Sequence, residues 1–249
     1  MRIKIAKTKA EYLGRPFNNS IPLEEEERQL DSAFYSNALL KAIDRYKISL
    51  IFRELMILSG VLKEKSSGVF EKLSESLRLE YLLALAIGKI YGTEGLVSNI
   101  IYNEDGVPMH WALGNKCDIL LFRKEGSLIL EPTMLCTRDQ QTRNETTSIR
   151  RHATDAENKY DAKFKVLMIA PRVHQDTIDY FTYRSVRNGL EMVTLTISKV
   201  VGLFGENPNY EDMLSKIDEV FEYFKANDDN LKACADYINS YRPKEELYL

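Results

Sequence analysis

The sequence lacks the features that mark membrane, secreted and disulfide-stabilised proteins. No segment approaches the ~18 uninterrupted apolar residues that a membrane-spanning helix needs. The start, Met1-Arg2-Ile3-Lys4, has charge but lacks the apolar stretch of a signal peptide. Three cysteines in 249 residues are too few and too far apart for a disulfide framework or a zinc site. We therefore expect a cytosolic protein with reduced thiols.

The sequence also lacks an excess of positive charge. Its 37 acidic residues outnumber 34 Lys and Arg, for a net charge of −3, which argues against a protein that coats nucleic acid non-specifically. It has no internal repeat and no helix-turn-helix or zinc-finger signature. Basic residues nevertheless cluster between residues 138 and 187, whereas residues 206–229 are acidic. One basic face on an overall acidic chain is expected.

The most informative stretch is a predicted β-hairpin over residues 118–133. Two short apolar runs are joined by a charged turn that contains Gly126. Asp118 opens the first strand and Glu131 closes the second, so antiparallel pairing brings both carboxylates to one edge of a sheet. Two close carboxylates repel unless a proton or a cation lies between them. Mg²⁺ prefers oxygen ligands, so the hairpin predicts a site for one or two Mg²⁺ ions.

Two further carboxylates lie on the apolar faces of predicted helices. In the helix expected over residues 69–91, Glu80 interrupts an apolar stripe, where an isolated carboxylate is costly. In the helix expected over residues 137–160, the apolar stripe extends toward the N-terminus to Glu145 and Gln141. One interpretation is that these side chains join the metal pocket. The alternative is that they lie at the solvent-exposed surface, where Glu80 pairs with Arg78 or Lys89 and Glu145 pairs with Arg138 or Arg150.

The order of predicted elements is helix, strand, hairpin, helix, strand, helix and strand. This order predicts an α/β protein with a mixed central sheet flanked by helices. Residues 1–20 show no long periodicity and read as irregular, and helices are expected between residues 23 and 62. We therefore expect a helical or linker region over residues 1–65 and a catalytic domain over residues 66–249.

The hairpin carries a family resemblance. Asp118 and the sequence Glu131-Pro132-Thr133 resemble the PD-(D/E)xK nuclease core, with Thr133 where Lys is usual. With residues 108–118 before the hairpin and Gln141, Glu145 and residues 150–152 after it, the sequence is similar to the cleavage domain of AlwI-like type IIS restriction and nicking endonucleases and their small catalytic subunits. The resemblance covers roughly residues 70 to 200. Cys117 departs from the motif, which has Pro at this position.

The resemblance implies a PD-(D/E)xK restriction-endonuclease-like core in a bacterial or archaeal cytoplasmic protein. The implied activity is Mg²⁺-dependent hydrolysis of DNA phosphodiester bonds to 5′-phosphate and 3′-hydroxyl ends. Double-stranded DNA is the expected substrate, with sequence specificity supplied by a recognition domain or partner subunit. Cleavage of both strands would need partner docking or a transient homodimer. The alternative is a non-catalytic DNA-binding or assembly module that kept the nuclease-like fold.

Residues of three kinds are expected at the site. The expected metal ligands are Glu80, Asp118, Glu131 and the backbone carbonyl of Pro132. The expected catalytic residues are Asp118, Glu131, Thr133, Gln141 and Glu145. Thr133 cannot replace the charge of Lys, so Gln141 or Glu145 is the candidate for orienting the nucleophilic water. The residues expected to contact DNA are His110, Arg138, Arg150, Arg151 and His152. Helix-surface solvation is the alternative for the arginines, and Trp111 is expected to cap the core.

Overall fold

The structure is a computed structural model that describes residues 1–110 and 116–249. The α-helices of this part of the chain are α1 (Arg2–Tyr12), α2 (Leu23–Arg45), α3 (Ile48–Leu58), α4 (Glu75–Tyr91), α5 (Arg138–Gln140), α6 (Thr146–Tyr160), α7 (Gln175–Asn188), α8 (Ile197–Glu206), α9 (Tyr210–Ala226) and α10 (Leu231–Asn239). The strands are β1 (Leu96–Ser98), β2 (Ile101–Tyr102), β3 (Pro108–His110), β4 (Ile119–Leu121), β5 (Ser127–Pro132), β6 (Phe164–Ala170) and β7 (Met192–Thr196).

The centre of the fold is a five-stranded mixed sheet in the order β1-β4-β5-β6-β7. Strands β1, β4 and β5 pair antiparallel, and β5, β6 and β7 pair parallel. Strand β6 is buried along almost its whole length because helices cover both faces of the sheet. Helices α4 and α8 contact each other and the sheet, and so do α6 and α7. The expected mixed sheet flanked by helices is confirmed.

A separate two-stranded ribbon, β2–β3, leads into the sheet. The expected strand over residues 96–102 is in fact two short strands, of which β1 joins the main sheet and β2 pairs with β3. The chain turns between them at Asn99 and Ile100, and Ile100 is buried. Periodicity did not reveal this turn because the apolar residues continue through it without a Gly or Pro signal.

The N-terminal segment differs from its expected irregular structure. Helix α1 forms there, and its buried face consists of the small residues Ala6 and Ala10, which pack against Leu30 of α2. Two alanines give almost no hydrophobic periodicity, so the pattern missed this helix although Ala and Lys favour helices. Helix α8 was also missed, because it follows β7 directly and is short, with seven of its ten residues buried.

One hydrophobic core extends across most of the molecule. It includes residues of α2 and α3, such as Ala42 and Phe52, together with the sheet and α4. Within the described ranges, no break in this core coincides with the domain boundary expected near residue 65. Only Ala6, Ala10 and Leu30 form a separate small cluster. In the part of the chain that the structure describes, no helix is long and apolar enough to cross a membrane.

Candidate active site

The hairpin β4–β5 places two carboxylates at the same edge of the sheet. Ile119 pairs with Leu130, so the next position outward brings Asp118 beside Glu131. Glu131 is buried and Asp118 is half-buried. Burial raises the pKa of Asp118 well above its usual value of 3.8, and the negative charges of Glu131, Glu80 and Glu145 raise it further. These four carboxylates are therefore close enough to affect one another.

Glu131 is the most constrained of the four. Burial raises the pKa of Glu131 well above 4.5, and the charges of Glu145 and Glu80 act in the same direction. The nearby Cys117 thiol opposes the shift. The Oε1 atom of Glu131 is buried and makes no hydrogen bond. A buried carboxylate oxygen without a donor is costly unless a proton or a cation occupies the site.

Glu145 reaches the site from the segment that precedes α6. Residues Gln141–Glu145 form a π-helical turn between α5 and α6, a wide turn that is frequent at functional sites. The Thr133 hydroxyl donates to Glu145 Oε1 over 3.0 Å and accepts from the Leu135 amide over 3.1 Å. Burial raises the pKa of Glu145, whereas the Thr133 bond and His152 lower it. Thr133 thus holds the carboxylate at the end of β5.

Gln141 lies on the buried side of this segment, as its sequence position indicated, but it is fully engaged elsewhere. Its Nε2 donates to the carbonyls of Leu135 and Arg172, both over 2.7 Å. Its Oε1 accepts from the His174 amide and the Thr177 hydroxyl, over 2.9 and 3.1 Å. The side chain therefore ties loops together and has no free hydrogen-bonding capacity for a water at the carboxylates.

His152 lies in the site rather than on an outer DNA-facing surface. Its Nδ1 is 3.5 Å from Glu131 Oε1, within ion-pair distance but without hydrogen-bond geometry. Burial lowers the pKa of His152, as does the charge of Arg151, so the neutral form is favoured. The backbone carbonyl of His152 accepts a 3.4 Å hydrogen bond from Cys117 Sγ. His152 thus lies next to the Glu131 carboxylate and not on a surface shared with the arginines that were expected to contact DNA.

The other residues expected to contact DNA occupy different positions. Arg138 is exposed and forms an ion pair with Asp176, which neutralises it. Arg151 is exposed and Arg150 is half-buried, with its Nε buried and unpaired. His110 is exposed at the end of β3. Trp111 lies outside the described residues.

Residues that the sequence analysis did not select hold the Asp118 loop in place. The Asn99 amide N–H donates to the Asp118 carbonyl over 3.0 Å, and its side-chain nitrogen donates to the Cys117 carbonyl. Tyr102 is buried, and burial together with the Glu80 charge raises its pKa, which places its hydroxyl near that carboxylate. No pattern in the sequence marks Asn99, because its partners lie some 18 residues further along the chain.

The donor set suits a hard divalent cation, although a complete ligand cage is not preformed. Four carboxylates and the Pro132 carbonyl are oxygen donors, and Glu131 Oε1 is an unpaired buried oxygen, as Mg²⁺ requires. Across residues 1–110 and 116–249, no group of three or more His, Cys, Asp or Glu side chains is arranged so that it could hold a metal ion. Metal coordination therefore stays a prediction that rests on the chemistry of these donors.

The mixed sheet, with its carboxylates at the end of a hairpin and its flanking helices, has the fold of a restriction endonuclease. The small subunit (R.BspD6I2) of the heterodimeric restriction endonuclease R.BspD6I has a similar fold, with a TM-score of 0.57 and 16% sequence identity. The match covers 75% of this chain and 97% of that one. The family model of the AlwI restriction endonuclease matches residues 27–203. The chain belongs to the AlwI restriction endonuclease family. No curated protein matches the sequence.

Proposed function

We propose that the protein is a metal-dependent DNA endonuclease that hydrolyses phosphodiester bonds to 5′-phosphate and 3′-hydroxyl ends. The observation that carries this proposal is the convergence of Glu80, Asp118, Glu131 and Glu145 at one end of the hairpin strands, where the other three carboxylates raise the pKa of Asp118. Such a cluster is unfavourable by itself, and a bound cation would relieve it. Membership of a restriction endonuclease family supports the same activity.

The ligands that we propose for one or two Mg²⁺ ions are Asp118, Glu131, Glu80 and the carbonyl of Pro132. When bound, Mg²⁺ supplies Lewis-acid polarisation of the scissile phosphate and lowers the pKa of a coordinated water. Cys117 lies where the motif has Pro, and its thiol donates to the His152 carbonyl. It therefore lies beside a proposed ligand without being one.

Glu145 is the group of this chain best suited to accept a proton from the attacking water. Burial raises its pKa toward the range in which a carboxylate acts as a base near neutral pH. The Thr133 hydroxyl holds Glu145 Oε1, and this contact takes the place of the Lys that the motif usually carries. His152 is favoured in its neutral form and lies against Glu131 Oε1. Its ring therefore limits how far the Glu131 carboxylate can turn.

The structural neighbour is one subunit of a heterodimeric restriction enzyme. We propose that this chain likewise works with a recognition domain or partner subunit that selects the sequence in double-stranded DNA. Alone it would cut one strand, and cleavage of both strands would need the partner or a transient homodimer.

A second candidate is a non-catalytic DNA-binding or assembly module. The absence of a preformed three-residue metal cluster among the described residues favours it, as does Thr133 at the Lys position of the motif. Such a module would bind DNA equally well with and without Mg²⁺. Substitution of Asp118 or Glu131 would leave its function unchanged.

The experiment that tests the proposal uses supercoiled plasmid DNA, Mg²⁺ and the full chain, with Asp118→Asn and Glu131→Gln as variants. We expect nicked product from the wild type and a loss of at least about a hundredfold in either variant. The matched control is Glu125→Gln, an exposed carboxylate in the turn of the same hairpin, which should keep full activity. The nicks should be sealed by DNA ligase, which requires 5′-phosphate and 3′-hydroxyl ends.

Calorimetric titration of Mg²⁺ into the same proteins separates the two candidates. The endonuclease requires Mg²⁺ uptake by the wild type that weakens in both site variants and persists in Glu125→Gln. If the wild type neither cuts nor takes up Mg²⁺, the endonuclease proposal is wrong and the non-catalytic module stands.

A further inference from the structure

The backbone of the loop between β6 and α7 is fixed by four hydrogen bonds with two side-chain amides. The Arg172 carbonyl accepts from Gln141 Nε2 and the His174 amide donates to Gln141 Oε1. Between them, the Val173 amide donates to Asn239 Oδ1 over 3.0 Å, and the Val173 carbonyl accepts from Asn239 Nδ2 over 2.8 Å. Two side-chain amides from distant helical segments therefore fix consecutive peptide groups of residues 172–174.

The residues that fix this loop are buried, whereas the Arg172 side chain is exposed to solvent. Gln141 is fully buried and Val173 is 1% exposed, but Arg172 is exposed. Arg172 has no ion-pair partner within the described ranges, in contrast to Arg138 on the same side of the fold, which pairs with Asp176. An unpaired guanidinium on a rigid loop is preorganised for an anionic ligand.

The loop lies at the same sheet edge as the carboxylates. Strands β5 and β6 are parallel, and the Thr133 amide donates to the Ile169 carbonyl over 2.8 Å. Arg172 follows three residues after Ile169, beside the segment that continues from Thr133. Burial raises the pKa of Cys136 in that segment, and Arg172 opposes the shift, so the two residues are near neighbours.

The distance between Arg172 and the carboxylates limits which phosphate the Arg172 side chain can contact. Glu131 pairs with Met168, and Arg172 lies four positions after Met168, which is at most roughly 13 Å of extended chain. DNA carries a phosphate about every 3.4 Å of axis on each strand. The backbone of Arg172 is therefore no more than a few nucleotides away from a phosphate bound at the carboxylates.

We propose that Arg172 binds a backbone phosphate of the cleaved DNA strand within a few nucleotides of the scissile bond, and that Gln141 and Asn239 are positioning residues that hold it there. This inference rests on the proposed DNA endonuclease function and adds a substrate contact to it. The inference also gives Gln141 a role. Its four hydrogen bonds order the loop, and they leave no bond for orienting a catalytic water.

The test is the salt dependence of binding to a fluorescently labelled DNA duplex, measured by anisotropy with Ca²⁺ in place of Mg²⁺ to prevent cleavage. Arg172→Gln should weaken binding roughly tenfold. It should also lower the slope of log affinity against log salt by about 0.9, the loss of one phosphate contact. Arg172→Lys keeps the charge and should keep the slope.

The matched control is Arg187→Gln near the other end of α7, about 18 Å further along the helix axis. Arg187 is also exposed, and its guanidinium donates to the Tyr183 hydroxyl and lies over the Tyr183 ring, so neither affinity nor slope should change. Asn239→Ala should weaken DNA binding, and Arg172→Gln should add little to it, because a displaced loop has already lost the contact. A purely structural role for Asn239 would give additive losses instead.

The outcomes separate this inference from the function on which it rests. If the wild type binds and nicks DNA but Arg172→Gln has wild-type affinity and slope, the Arg172 contact is wrong and the endonuclease proposal stands. Equal effects of Arg172→Gln and Arg187→Gln would also contradict it, because they would indicate diffuse electrostatics. If the wild type binds no DNA at any salt concentration, both proposals are wrong.

Discussion

Single residues at the sheet edge combine burial with negative charge, which is costly for folding and useful for binding a cation. Glu131 is 5% exposed and its Oε1 lacks a hydrogen bond. His152 Nδ1 lies 3.5 Å from this oxygen without hydrogen-bond geometry, and the Cys117 thiol donates to the His152 carbonyl instead. Natural proteins retain such poorly satisfied groups mostly at functional sites.

The contact between Thr133 and Glu145 gives a prediction about pH. The hydrogen bond lowers the pKa of Glu145, so Thr133→Val should raise that pKa further. If Glu145 acts as a base, activity appears as the pH rises through its pKa, and the acid limb of the pH–rate profile must move to higher pH. The rate near neutral pH should fall by about tenfold or more.

The measurement is kcat for plasmid nicking as a function of pH, with DNA affinity determined in parallel. Thr133→Ser keeps the hydroxyl and should follow the wild-type profile. Superimposable profiles for the wild type and Thr133→Val would show that the Thr133 bond does not set the ionisation of the base.

The positions of site residues were predictable where a periodic pattern marked them. Glu80 and Glu145 interrupt apolar stripes, and both carboxylates affect Asp118 in the structure. The role of Gln141 was not predictable, because its partners Arg172, His174 and Thr177 lie more than thirty residues away. An amide side chain can form hydrogen bonds with a loop as readily as with a water molecule. Its position on a helix face does not show which of these partners it has.

At the scale of elements, the β2–β3 ribbon connects the N-terminal helices to the Asp118 loop. Its turn carbonyls accept hydrogen bonds from neighbouring helices: Asp105 from Arg45 over 2.8 Å, and Gly106 from Tyr81 over 2.8 Å. Its other end reaches Asn99, which holds the backbone of Cys117 and Asp118. The ribbon therefore connects α2 and α4 to the backbone of Asp118, which is one of the expected metal ligands.

Gly106 is the residue on which the docking of this ribbon depends. Its φ is +74°, and a Cβ there would lie 2.2 Å from the Ala38 carbonyl oxygen. Gly106→Ala should lower the free energy of unfolding by roughly 2 kcal/mol or more, through left-handed strain and a clash with backbone. Nicking activity should fall as well, because the Asp118 loop loses its support.

Urea unfolding followed by circular dichroism measures this effect, and Gly14→Ala is the matched control. Gly14 also has a positive φ, of +63°, but nothing lies within 4 Å of its hypothetical Cβ. The control should lose only about 1 kcal/mol from strain. Equal losses in the two variants would mean that the approach to Ala38 does not constrain the ribbon.

Elements were predictable when hydrophobic residues alternate or recur at helical spacing over a long stretch. The hairpin, β6 and α7 have such patterns and occur where they were expected, and α4 ends where it was expected but begins at Glu75, after a short 3-10 turn at Phe70–Lys72. Helix α1 buries only alanines, and the break between α2 and α3 at Tyr46 and Lys47 has no Gly or Pro. Both depend on tertiary contacts that local sequence does not encode.

At the scale of the whole molecule, one core joins the N-terminal helices to the nuclease sheet. The first helix is attached differently, through a small cluster and charged contacts. Glu26 is fully buried and accepts from Arg15 over 2.8 and 2.9 Å and from the Asn18 amide over 3.0 Å. The N-terminal segment is therefore held by a buried ion pair, while the remaining helices share the apolar core.

The carboxylate cluster should make the stability of the whole protein depend on pH and, with the proposed site, on Mg²⁺. Asp118 and Glu131 have raised pKa values in the folded state, so the folded chain binds protons more tightly than the unfolded chain. Their favourable contribution is complete below the unfolded values of 3.8 and 4.5 and is lost as the pH rises through the raised values. The metal-free protein should become less stable toward neutral pH.

Thermal unfolding in the presence of a chelator and then of Mg²⁺ checks this expectation. Mg²⁺ should raise Tm at neutral pH, with about 1 kcal/mol corresponding to roughly 2–4 °C for a protein of this size. Glu131→Gln removes one charge and should raise Tm of the metal-free protein while reducing its response to Mg²⁺. A Tm that is insensitive to Mg²⁺ in the wild type at neutral pH would count against the metal site.

The sequence by itself determined the hairpin, the pairing of Asp118 with Glu131 and the mixed sheet with its helical cover. Period-two and helical patterns are local properties, and antiparallel register follows from the two strands and their turn. Only the tertiary structure shows that His152 lies beside Glu131, that Asn99 holds the backbone of the Asp118 loop, and that Gln141 donates to the Arg172 carbonyl. These contacts join residues far apart in the chain, and side-chain hydrogen bonds carry no periodic signal, so only the packed fold brings their partners together.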